Sequence, residues 1–134
     1  MSMVHDNKIL LYQVDFENER LTLKTEYHNL TSNIHEKTNV MFTDYLTHIF
    51  HNVDKQSIIF DIEEIPLEFF LEQESELLKG KKNWGWPIRY ETTNHLTNYF
   101  QSNGYKVFSI DSSCGLYGYV IAKEMNIVVN EFPL

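Results

Sequence analysis

Leu21, Leu23, Thr25 and Tyr27 alternate with Arg20, Thr22, Lys24, Glu26 and His28. Apolar and polar side chains therefore fall on opposite faces of an extended chain. Period two with one polar face predicts an antiparallel strand with one wetted side. The apolar run KILLYQV at 8–14 precedes it, and the turn-forming DFENE between the two predicts a hairpin. Residues 28–39, HNLTSNIHEKTN, are polar and read as a loop.

The next stretch, VMFTDYLTHIFHN at 40–52, fits two templates. As a strand it sets Val40, Phe42, Leu46 and Phe50 on one face. As a helix it sets Phe42, Leu46, Ile49, Phe50 and Val53 on one stripe. Its β-branched and aromatic content favours the strand. SIIFDIEEI at 57–65 reads as a further strand with Ile58, Phe60 and Ile62 on one face.

The period then lengthens. Pro66 suits a helix start, where its missing N–H is not needed. Leu67, Phe70, Leu71 and Leu78 form the apolar stripe of one helix over PLEFFLEQESELLK. Gly80 can cap it, and Lys79, Lys81 and Lys82 favour its C-terminal dipole. NWGWPIRY at 83–90 reads as a rigid aromatic connector. ETTNHLTNYFQSNG predicts a second helix with Leu96, Tyr99 and Phe100 inward and Gly104 at its end. YKVFSID and LYGYVIAKEMNIVV flank SSCG, which reads as a hairpin loop. The expected fold is one α+β domain over residues 1–134, a mostly antiparallel sheet packed against two helices in the order β-β-β-β-α-α-β-β.

Composition narrows the partners. The chain of 134 residues is 43% hydrophobic and 14% aromatic, enough to build one core, and its formal charge is −8. That charge repels phosphate, so nucleic acid and anionic membrane are excluded as expected partners, and a basic protein or a cation is favoured. No apolar run approaches the roughly 18 residues a membrane span needs, and the first residues lack a signal-peptide pattern. Cytoplasmic localisation is the expectation.

Glu64, Glu68, Glu72 and Glu76 recur every four residues. On one helix they would make a single acidic ridge, able to dock a basic protein by electrostatic complementarity. The same ridge could equally be a solvated helix face. Trp84 and Trp86, beside Tyr90 and Arg89, are of the residue types that anchor interfaces, although indoles under a connector also serve as core cover.

Candidate chemistry is sparse. Cys114 is the only cysteine. A thiolate nucleophile needs a neighbouring imidazolium or a helix N-terminus, and a strand follows this one, so the residue reads as part of a turn. Asp44 and His48 share a face if the segment is a strand, but stand about 13 Å apart. On a helix they would be neighbours. His48, His51 and Asp54 lack the convergent third ligand zinc requires. No cofactor, metal or catalytic residue is assigned. A hydrolase using Cys114 or Asp44 with His48, and a small-ligand carrier, stand as alternatives.

SIIFDIEEI, GWPI and VFSIDSSCGLYGYVIAK together resemble the sequence style of small bacterial domains of the toxin-immunity type. That resemblance implies a protein that neutralises a toxin by binding it, without chemistry of its own. The acidic ridge would suit a basic nuclease toxin.

Overall fold

The computed structural model describes residues 4–29 and 34–130. Lys8–Asp15 (β1) and Arg20–Asn29 (β2) form the expected hairpin. The Asp15 carboxylate closes its turn by accepting from the backbone N–H of Asn18 at 3.0 Å and from its Nδ2 at 2.7 Å. Those two bonds hold the carboxyl below its ordinary pKa. Leu21, Leu23 and Thr25 are buried as the alternation predicts, whereas Tyr27 is exposed. Ile34–Thr43 (β3) pairs with β2, so residues 34–39 are strand where a loop was expected; residues 30–33 of that expected loop lie outside the described residues.

Residues 40–51 are extended, but not as one strand. β3 ends at Thr43, Asp44 takes a left-handed φ of 52°, and Thr47–His51 (β4) follows. The bend changes which face looks inward. Phe42 and Tyr45 join one core, while Leu46 packs into another. A single face holding Val40, Phe42, Leu46 and Phe50 is therefore corrected.

Ile58–Ile65 (β5) pairs with Lys106–Cys114 (β6), with register shifts between Ile58 and Ile59 and between Ile59 and Asp61. Such bulges insert a residue and reverse the alternation. Ile59 and Ile62 are therefore the buried pair, and Phe60, expected inside, is 54% exposed.

The expected single helix is broken. Leu67–Gln73 (α1) and Ser75–Lys81 (α2) are separated by Glu74, whose φ and ψ are −110° and 24°. The Glu74 carboxylate lies 3.9 Å from His51 Nε2. A 3₁₀ turn over Lys82–Trp84 leads to Thr93–Asn103 (α3). Thr92 caps α3 by accepting from the His95 N–H, and Gly104, at φ 74°, ends it.

The long C-terminal strand also divides, into Tyr117–Ala122 (β7) and Glu124–Asn130 (β8). Among the described residues the fold is α+β with eight strands and three α-helices, five strands preceding the helices and three following, in place of four and two. All strand pairs are antiparallel, in the order β4-β7-β6-β5-β1-β2-β3-β8.

That order curls into a barrel-like roll because two strands turn the same corner. β3 bends into β4 and β7 bends into β8, and Lys123 N–H donates to Thr43 O at 3.1 Å where they meet. Strands that switch sheets at a bend make such corners. On the opposite side, Ile9 N–H donates to Ser57 O and Ile59 N–H to Asn7 O, closing β1 onto β5. Phe42 and Phe108 meet inside at 5.5 Å between ring centroids. Outside, Val107 and Ile121 turn the other way and meet Phe70, Leu78, Leu96 and Phe100 of the helices. The pleat thus serves two cores from β6 and β7.

Candidate functional site

Glu68 and Glu72 lie on α1 and Glu76 on α2, all exposed. Glu64 lies on β5, so the four glutamates do not form one helical ridge. Its carboxylate stands 3.9 Å from Lys106 Nζ, an exposed pair of small energetic weight. The correction has a local cause: Pro66 begins the helix only after Ile65 has completed the sheet pairing with Val107.

The two tryptophans separate. Trp86 is partly buried against Phe70, and its Nε1–H donates to Thr47 Oγ1 at 2.7 Å. It fixes the connector to β4. Trp84, two residues earlier, is 85% exposed. An indole in water forgoes most of the burial energy available to it, about 1.5–3 kcal/mol for a large apolar side chain.

Cys114 ends β6, and the turn itself is Gly115 and Leu116. Its exposed thiol donates to Gln56 O at 3.4 Å. Asp44 is exposed at the corner and makes no hydrogen bond or ion pair with His48. Among the described residues no group of three or more His, Cys, Asp and Glu side chains could hold a metal ion, so His48, His51 and Asp54 do not converge. No helix there is long and apolar enough to cross a membrane.

The structure brings together a group that sequence spacing did not reveal. The Tyr45 hydroxyl and His48 Nδ1 are hydrogen-bonded at 2.6 Å, and Tyr12 and Phe50 pack edge-on to each other at 5.0 Å beside them. The His48 ring lies 4.7 Å from Phe50 and 6.0 Å from Tyr12. The register shift between Ile9 and Leu11 permits this, because it puts Tyr12 on the same face as Val14, which packs against the core. Burial lowers the His48 pKa, because desolvation disfavours the charged imidazolium. Burial raises the Tyr45 pKa, with a further rise from Tyr12. The Trp86 bond to Thr47 and the Tyr45–His48 bond tie neighbouring residues of one short segment. The arrangement locks the connector, the corner and β4 together. The one sequence signal for it was the two-template ambiguity of residues 40–51, which is where the strand bends.

No protein-family model, no curated protein and no solved structure matches the chain.

Proposed function

We propose that the protein is a non-enzymatic binding module, an immunity-type inhibitor that captures a basic partner toxin in the bacterial cytoplasm. The observation that carries this reading is Trp84. Among the described residues it is the most exposed large apolar side chain, on a helical layer that also presents Glu68, Glu72 and Glu76 to solvent. Carboxylates speed the encounter with a basic surface, and a central indole supplies the contact that holds it. Glu64 adds to the same field from the end of β5, and Trp86 supports the loop that displays Trp84. The net charge of −8 favours the same class of partner.

The test uses the native protein, Trp84→Ala and the triple Glu68/Glu72/Glu76→Lys variant as baits, with the folded state of each checked by circular dichroism. The expected result is one basic protein retained by the native bait, lost from both variants, and inhibited in its own toxic activity by the native protein. Equal retention by all three baits, or retention without inhibition, overturns the reading.

A further inference from the structure

The two end strands of the sheet differ in how their outer edges are treated. β4 is guarded: Trp86 bonds Thr47, and Tyr12 packs on His48 and Phe50. Among the described residues β8 pairs with β3 alone, from Thr43 opposite Glu124 to Lys37 opposite Asn130, with no register shift. Among the described residues no backbone hydrogen bond reaches its other edge. In an antiparallel pair, alternate residues turn their N–H and C=O away from the neighbour. Such an edge is a template for another strand unless a lysine, a proline or a bulge blunts it. β8, EMNIVVN, has none of these.

The surroundings of this edge specify what could lie there. β7 stays with β6 up to the pairing of Lys106 with Ala122, and the turn at Lys123 then carries β8 away. The divergence leaves a hollow of about 400 Å³ between Glu64, Lys106 and Phe108 on one side and Glu124, Met125 and Asn126 on the other. Its apolar lining is Phe108 and Met125, both packed with the core. Lys106 is taken by Glu64, and among the described residues Glu124 has no ion-pair partner. Val128, further along the edge strand, is 46% exposed.

We propose that β8 is a strand-addition site for an extended, amphipathic basic segment of a partner protein. The incoming strand pairs with the free backbone edge of β8. Its apolar side chains face Phe108 and Met125, and the lysines or arginines alternating with them face Glu124. The two-residue repeat of any strand requires this alternation, because neighbours on β8 point to opposite faces. A second copy of this chain is a poorer occupant, since it would bring another acidic edge and a charge of −8. The proposal is independent of the helical layer.

The probe is a blocked nine-residue peptide of alternating lysine and valine, with two further versions N-methylated on one or the other set of alternate amides. Binding is measured by fluorescence anisotropy at low salt, and amide hydrogen exchange by NMR. The expected result is new protection confined to Glu124–Asn130 and its hollow, with one N-methylated peptide at least tenfold weaker than the parent. Glu124→Lys should weaken binding at least threefold, and the matched single reversal Glu91→Lys, at an exposed position of the connector, should leave it unchanged. Absence of binding, protection elsewhere than β8, or equal binding of both methylated peptides overturns the proposal. Concentration-dependent dimers abolished by Val128→Lys would overturn it in favour of a second copy.

Discussion

The Tyr45 hydroxyl and His48 Nδ1 are hydrogen-bonded at 2.6 Å, three residues apart just after the left-handed bend at Asp44. Burial lowers the His48 pKa from its ordinary 6.5. Between the two pKa values the unfolded state binds more protons than the folded state. Stability from this residue is therefore complete above about pH 6.5 and is lost as pH falls through the lower folded value. Urea midpoints should drop on going from pH 7 to pH 5. In His48→Gln, whose amide oxygen can still accept from Tyr45 but cannot titrate, that part of the drop should vanish. Parallel curves for the two proteins would show that His48 is not held neutral.

Thr47 Oγ1 accepts from Trp86 Nε1–H at 2.7 Å. Thr47→Val keeps the shape and removes that bond. Leaving the partly buried indole N–H unpaired should cost about 1–3 kcal/mol. The Trp86 fluorescence should change at the same time, which a chemical denaturation series with intrinsic fluorescence will report. A variant as stable as the native protein would mean that water replaces the hydroxyl.

Inside the roll, Asn7 Nδ2 donates to Thr25 Oγ1 at 3.0 Å, and the Thr25 hydroxyl donates to Thr38 O at 2.7 Å. All three residues are buried. Thr25→Val strands a carboxamide donor without access to water, so a loss of about 1–3 kcal/mol is expected despite the isosteric change. The double variant Asn7→Leu with Thr25→Val should recover part of that loss. Thermal unfolding of the two variants compares them directly.

Gly118 lies at φ 153°, where an added Cβ would stand 2.0 Å from Ile49 O. Ile49 and Phe50 pair with Tyr119 and Gly118 across the β4–β7 ladder. Gly118→Ala must push β4 away, and a cost of about 2–4 kcal/mol is expected. Amide exchange should quicken first in Thr47–His51. Gly80→Ala meets nothing within 4 Å and serves as the control; as a helical position it should be neutral or slightly stabilising.

Much of the architecture was legible along the chain. The alternation at 20–27, the stop at Gly104 and the inward Leu96 and Phe100 all follow from local periodicity and capping, which depend on near neighbours. The misread elements share one cause. Phe60 and the bulged β5, the bend at Asp44 and the division at Lys123 each interrupt a regular period by one residue or a few. A pattern reading averages over such interruptions. The broken helix is similar: Glu74 continues a helical composition, yet its carboxylate is turned to His51 on a strand far away in sequence.

The candidate surfaces divide in the same way. Acidity, the absence of a motif for metal or nucleophile chemistry, and the exposed glutamates of the helices are properties of composition and of one amphipathic segment, so the sequence by itself determined them. Whether Trp84 or Trp86 faces water was decided by the single hydrogen bond from Trp86 to Thr47, 39 residues earlier. Tyr12 meets His48 and Phe50 only because a bulge turns β1 and a corner turns β4. The free edge of β8 exists only because β7 leaves β6 at Lys123. Periodicity records which side chains avoid water, whereas closure of the roll determines which strands meet and which edge is left open.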